Sequence, residues 1–111
     1  MKTTVIVQFD IEGFHQYPGA PEVVNFLSYK HRHTFIIKAG YQVSHSNREK
    51  EIFICRDELK NYINETYGFP AQFSNMSCEM IAHELLTFGC DDGMVWCEVW
   101  EETTGGARVE L

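Results

Sequence analysis

Alternation of apolar and polar residues predicts two strands in the first half of the chain. Residues 3–9 read Thr-Thr-Val-Ile-Val-Gln-Phe, and residues 33–44 are rich in β-branched and aromatic side chains. Glycines and prolines between them predict an irregular connection from Gly13 through Asn25. Because successive side chains of a strand point to opposite faces, the second strand is expected to bury one set of residues: Phe35, Ile37, Tyr41 and Val43.

Helical spacing predicts two helices in the middle of the chain. The short run 51–54 is interpreted as a strand end, and a helix follows over residues 55–67, with Gly68 ending it. Residues 70–75 are interpreted as a loop. Ser77 then caps a second helix that runs through Phe88.

Two more strands are predicted at the end of the chain. Residues 94–101 and 107–111 flank Thr103-Thr-Gly-Gly106, which has the composition of a hairpin turn. The predicted order is therefore two strands, two helices and two strands. A chain of 111 residues fits one α+β domain over residues 1–111.

Composition narrows the function classes. The chain has sixteen acidic residues, nine basic ones and no run of Lys or Arg, which argues against binding to a nucleic acid. The start of the chain is neither a signal peptide nor a membrane span, and the four cysteines form no C-x-x-C pair. A soluble, cytoplasmic protein with reduced thiols is expected. The supply of eight Phe, five Tyr and two Trp is typical of subunit contacts and predicts a homo-oligomer.

Three histidines supply the candidate metal chemistry. His31 and His33 are two residues apart at the start of the second strand, and His15 lies upstream. Residues two apart in a strand project from the same face and can hold one ion together. The alternative to a metal site is a pair of partly exposed histidines at the start of a strand, beside a small basic turn formed by Lys30 and Arg32.

The order of these motifs resembles the family of 6-pyruvoyl-tetrahydropterin and 6-carboxytetrahydropterin synthases. His15, followed by His31-Arg-His33, is similar to the family's three zinc ligands, with Arg32 in place of the usual glycine. Residues 76–82, Met-Ser-Cys-Glu-Met-Ile-Ala, resemble the start of the family's second helix. Val99-Trp-Glu101 is similar to the strand whose glutamate anchors the pterin ring.

The resemblance implies a T-fold, in which a four-stranded antiparallel sheet is backed by two helices and subunits assemble into barrels. It also implies Zn²⁺ at the three histidines, with the fourth zinc position open, as a catalytic site requires. Glu101 would bind a pterin or purine-like ring, since a carboxylate meets the paired N–H and NH₂ donors of such a ring. Glu102 is the alternative anchor if the register slips by one residue.

Two catalytic groups of the family have no counterpart here. Leu27 stands at the spacing where the family places a nucleophilic cysteine, and residues 63–70 lack the family's Asp-His pair. Cys78, at a predicted helix start, is the best replacement nucleophile, although a small residue packed at that position is the commoner explanation. His45 is a surrogate acid or base, or a polar turn residue. Glu79 shares the helix start with Cys78 and is a further candidate for ligand binding.

Two hypotheses follow. The first is a zinc-dependent carbon-oxygen lyase, similar to the tetrahydropterin synthases, that acts on a pterin triphosphate-type substrate with altered catalytic groups. The second is a catalytically silent module of the same fold that binds a pterin or a purine-type ligand.

Overall fold

A computed structural model describes all residues from Met1 to Leu111. It contains seven main elements: β1 (Thr3–His15), β2 (His31–Val43), α1 (Ile52–Tyr67), β3 (Ala71–Ser74), α2 (Cys78–Gly89), β4 (Met94–Glu101) and β5 (Gly105–Glu110). Short 3₁₀ segments cover Glu22–Ser28 and Cys90–Asp92. No helix is both long enough and apolar enough to cross a bilayer.

The strands form one five-stranded sheet in the order β3-β1-β2-β4-β5. β3 runs parallel to β1, and the other neighbours pair antiparallel. The prediction of an α+β fold is confirmed, but the prediction of four antiparallel strands is wrong by one strand. The missed strand is β3, which lies in the predicted loop 70–75. This strand of four residues is too short to show a clear alternation in the sequence, although Ala71 and Phe73 are buried.

Two predicted boundaries are also wrong. β1 extends six residues beyond Phe9 to His15, because β2 continues to pair with it along its whole length. Gly13 therefore lies inside the strand and not in an irregular connection. The run 51–54 is not a strand end: the Glu51 side chain accepts a hydrogen bond from the N–H of Ile54, which starts α1 at Ile52.

Two other starts differ by two residues, since β2 begins at His31 and not His33, and β5 begins at Gly105 and not Ala107. The remaining boundaries agree with the sequence to within one residue. Gly68, with φ of 89°, ends α1, and the Ser77 side chain accepts a hydrogen bond from Met80 N–H at the start of α2. Both helices pack on one face of the sheet. Alternate residues of the long strands, with one face of each helix, form the core between the layers. Its fully buried large side chains include Phe35, Ile37, Leu59, Ile63, Phe73, Ile81 and Leu85.

Candidate metal centre and adjoining cavity

The pairing of β1 with β2 brings the three histidines to one end of the sheet. His15, the last residue of β1, lies opposite His31, the first residue of β2. His33 follows two residues later on the same face, and its partner across the ladder is Gly13. The histidine cluster (His15, His31 and His33) thus comes from two neighbouring strands whose register is fixed along their length.

The rings are close enough to share one ion. One ring nitrogen from each histidine lies within 4.8 Å of the others. The ring centroids are 4.6 Å apart for His15 and His31, 4.9 Å for His31 and His33, and 5.3 Å for His15 and His33. Three imidazole nitrogens at this spacing are a ligand set used in catalytic zinc sites.

The outer nitrogen of each ring has a hydrogen-bond acceptor. Nδ1 of His15 lies 2.9 Å from the carbonyl oxygen of Met76, and Nδ1 of His31 lies 2.8 Å from that of Tyr29. Nδ1 of His33 lies 3.0 Å from Oε2 of Glu102. An Nδ1–H that donates outward fixes the tautomer and leaves the lone pair of Nε2 available to a metal.

The inner nitrogens have no hydrogen-bond partner. Nε2 of His15, of His31 and of His33 are all buried and all unpaired. Buried polar atoms are normally hydrogen-bonded, because leaving them unpaired costs free energy. A cation would satisfy three converging lone pairs that have no donor. The donor set therefore fits a metal ion, and fits Zn²⁺ or a similar ion best.

Burial also keeps the innermost histidine in the form that binds metal. Desolvation lowers the pKa of His15, although its hydrogen bond to the Met76 carbonyl and the nearby Glu101 carboxylate oppose this effect. The side chain of His15 is 8% exposed. A neutral ring is favoured there, and only a neutral imidazole can offer Nε2 to a cation.

Glu101 lies beside this cluster, at the end of β4. Its backbone pairs with Phe35 of β2, so that its side chain projects on the same face as His33. Oε1 lies 3.0 Å from Nε2 of His15, and Oε2 lies 3.5 Å from Nε2 of His33. Neither approach has the geometry of a hydrogen bond, since both nitrogens remain unpaired.

The thiol of Cys78 contacts the same carboxylate. Sγ of Cys78 donates a hydrogen bond to Oε1 of Glu101 across 3.8 Å. Burial, followed by the negative charges of Glu101 and Glu79, raises the pKa of the Cys78 thiol to about 12. Cys78 is therefore protonated at neutral pH and acts as a donor in this arrangement. Its role as a nucleophile stays a prediction, and this pKa argues against it.

A cavity of about 830 Å³ opens next to the cluster. Its volume lies in the range of small-molecule sites. His15, His31, Cys78 and Glu101 line it, together with the backbone of residues 105–107. The sequence did not single out this last segment, because nothing in Gly-Gly-Ala indicates that the β5 strand would form a cavity wall.

The remaining candidates are divided between the cavity and the rest of the surface. Glu79 lines the cavity, and a hydrogen bond with Ser77 lowers its pKa. Leu27, at the position where the resemblance implies a cysteine, also lines it. His45 follows the opposite end of β2, roughly 30 Å from His33 for a strand of this length. The structure therefore does not bring His45 to the cluster of its own chain.

Two polar residues beside the cluster have roles that the sequence left open. Arg32 projects from the opposite face of β2 and pairs with Glu12 at 2.5 Å, so that it does not enter the cavity. Glu102 was considered only as a substitute ring anchor, whereas its carboxylate contacts His33 and the N–H of Thr34. Only the tight turn after β4 directs Glu102 back to the start of β2, and no sequence pattern marks this contact.

Comparison with known proteins supports the fold. No model of a known family and no curated protein sequence matches the chain. Among solved structures, 6-pyruvoyl tetrahydropterin synthase of Caenorhabditis elegans superposes with a TM-score of 0.69 at 8% identity, over 100% of this chain and 96% of that one. An uncharacterized protein of Wolinella succinogenes superposes with a TM-score of 0.73 at 12% identity, over 99% and 98% of the two chains. The chain therefore has a tetrahydropterin-synthase-like fold.

Proposed function

We propose that this protein binds Zn²⁺ through His15, His31 and His33 and holds a pterin or purine-type ring in the adjoining cavity through Glu101. The observation that carries the proposal is the set of three buried, unpaired Nε2 atoms converging beside a cavity of about 830 Å³. The reaction that fits this site is carbon-oxygen lyase chemistry on a pterin triphosphate-type substrate, as the resemblance to the tetrahydropterin synthases implies.

The metal and the ring have separate chemical roles in this proposal. When bound, Zn²⁺ would act as a Lewis acid toward carbonyl and hydroxyl oxygens of the substrate side chain. Glu101 would accept hydrogen bonds from the paired N–H and NH₂ groups of the ring. Leu27 and Met80 form an apolar part of the cavity wall, which favours burial of a flat aromatic ligand.

Proton transfer is the least complete part of this site. A lyase needs groups that take and return protons during elimination. Cys78 is protonated and hydrogen-bonded to Glu101, and Glu79 lines the cavity as a carboxylate. In this proposal Cys78 would give a proton to the substrate side chain and Glu79 would accept one.

A second candidate function is a silent binding module of the same fold. The specific observation that favours it is Leu27 in the cavity wall, where the resemblance implies a cysteine. A leucine supplies packing but no proton and no nucleophile. In this case the metal and the ring would bind and no elimination would follow. The protein is expected to assemble as a homo-oligomer in either case.

Metal content is the first test. Elemental analysis of the native protein is expected to find close to one zinc per chain, and the double variant His31→Ala/His33→Ala is expected to lose it. The matched control is His45→Ala/His83→Ala, which removes two exposed histidines outside the cluster and is expected to retain zinc. Zinc retained by the first variant would contradict the ligand assignment.

Turnover separates the two candidates. The zinc-loaded protein is mixed with dihydroneopterin triphosphate, and inorganic triphosphate is measured. Release of triphosphate that is lost in Glu79→Gln and Cys78→Ser supports the lyase. Tight binding of the compound without release of triphosphate supports the silent module, and failure to bind it contradicts both candidates.

A further inference from the structure

We propose that Glu101 is the fourth ligand of the metal while the cavity is empty, and that it leaves the metal when a ring ligand takes its carboxylate. The inference rests on the proposed function, since it requires a cation at the histidine cluster. In this inference a side chain of the protein itself fills the fourth coordination position, which is therefore not open while the cavity is empty. The contacts of Glu101 with His15, His33 and Cys78 carry the argument.

Each carboxylate oxygen of Glu101 approaches one histidine at about the edge length of a coordination tetrahedron. With bonds of 2.0 to 2.2 Å from zinc to nitrogen and oxygen, neighbouring ligand atoms are about 3.3 Å apart. Oε1 of Glu101 lies 3.0 Å from Nε2 of His15, and Oε2 lies 3.5 Å from Nε2 of His33. The carboxylate is within 4.0 Å of these two rings but not of His31, so that binding through one oxygen requires the side chain to turn toward the third ring.

The contact between Glu101 and His15 lacks the geometry of a hydrogen bond, which favours coordination to a shared cation. A carboxylate 3.0 Å from an imidazole nitrogen would normally accept a hydrogen bond from it. Here Nε2 of His15 has no hydrogen-bond partner despite this distance, and its Nδ1 is already bound to the Met76 carbonyl. In this proposal the cation lies between these two lone-pair donors.

Charge favours the same conclusion. Three neutral imidazoles leave the full charge of a divalent cation uncompensated, and one carboxylate halves it. No lysine or arginine lies within salt-bridge distance of Glu101. A buried metal charge is the strongest available partner for this side chain.

The thiol of Cys78 permits the exchange. It donates to Oε1 of Glu101, so that the carboxylate keeps one partner in either state. A flat ring that enters the cavity offers paired donors to both oxygens, and a substrate oxygen can then take the vacated metal position. Coordination of the metal and binding of the ring thus depend on the same carboxylate. Each of the two therefore weakens the other.

Cobalt(II) provides a test that does not depend on turnover. Co²⁺ alone is added to the metal-free protein, and its visible d–d absorption is recorded, which is intense for four-coordinate and weak for five- or six-coordinate ions. The wild type is expected to give the intense spectrum. Glu101→Gln keeps the shape but loses the charge, and is expected to give a weaker spectrum with Co²⁺ affinity reduced about 100-fold or more, beyond the usual effect of changing an outer partner.

The matched control is Glu84→Gln, which removes an exposed carboxylate of α2 that does not line the cavity and does not contact the histidine cluster. It is expected to retain both the spectrum and the affinity of the wild type. Equal spectra and affinities for Glu101→Gln and the wild type would overturn this inference and leave the histidine site intact. A wild type that binds no Co²⁺ would overturn the proposed metal site as well.

The exchange is tested on the wild type itself. Free pterin is titrated into the Co²⁺ protein, with binding followed by the fluorescence of the ring and coordination by the d–d bands. Bound pterin is expected to change the bands and to weaken Co²⁺ binding. Pterin that binds while the bands and the Co²⁺ affinity stay constant would overturn the exchange.

Discussion

His33 donates from Nδ1 to the carboxylate of Glu102, with 3.0 Å between Nδ1 and Oε2. The other oxygen of Glu102 accepts the backbone N–H of Thr34 at 2.7 Å. One carboxylate therefore ties the turn after β4 to both the backbone and the ring at the start of β2. A carboxylate on the outer nitrogen of a metal-binding histidine orients the ring and raises its basicity.

Glu102→Gln is expected to weaken Zn²⁺ binding about 10- to 100-fold without abolishing it, because His33 loses its charged partner but remains in place. Competition with a chromogenic chelator measures the affinity. Glu110→Gln, a change of the same kind on the exposed strand β5, is the control and is expected to bind as the wild type does. Equal affinities for the two variants would contradict the orienting role.

The Cys78 thiol is expected to resist alkylation at neutral pH. Its pKa of about 12, raised mainly by burial, means that the reactive thiolate becomes populated only as the pH rises toward that value. Iodoacetamide labelling from pH 7 to 10, followed by peptide mapping, should show a rate that rises with pH throughout this range. The same protein unfolded in urea is the control, and rapid modification of the folded protein at pH 7 would contradict the assignment.

Gly13→Ala is expected to reduce the free energy of unfolding by about 1 to 3 kcal/mol. A Cβ at this position would lie 3.0 Å from Phe73 and 3.1 Å from Phe35, two aromatic rings of the core. Urea denaturation measures the change. The control is Gly105→Ala, where a Cβ would meet no atom within 4 Å, and a loss of similar size in both variants would show that the crowding at Gly13 is not the cause.

Because Phe35 also packs edge-to-face against His15 and His33, the Gly13→Ala variant should bind metal more weakly as well. Binding equal to that of the wild type would mean that the histidine cluster does not depend on the position of the rings beneath it. Zinc titration of the folded variant below its unfolding transition measures this effect separately from stability.

Ser77→Ala is expected to reduce the free energy of unfolding by about 0.5 to 2 kcal/mol, because the N–H of Met80 loses the side-chain oxygen that caps α2. Ser77→Asn restores a capping oxygen and is expected to recover most of the loss. The midpoint of urea unfolding compares the three proteins. If asparagine failed to recover stability, the cap would not be the source of the loss.

The sequence predicted the helices and strands that local patterns mark. Alternation marked β2 and the face that it buries, and Ser77 and Gly68 marked an end of each helix. The His-x-His spacing indicated a shared face, which the structure confirms. The C-terminal end of β1, the starts of β2, α1 and β5, and the strand β3 were missed. Pairing with a neighbouring strand or one side-chain cap decides them, and a single segment shows neither.

What the sequence determined by itself is therefore the fold class, most of the elements and the residue types of the site. The tertiary structure alone decided that His15 lies across from His31, that Glu101 borders the histidines, and that Glu102 orients one of them. The physical reason is range: periodicity and capping act over a few neighbouring residues, whereas these contacts join segments up to 86 residues apart, and only the register of the sheet brings them together.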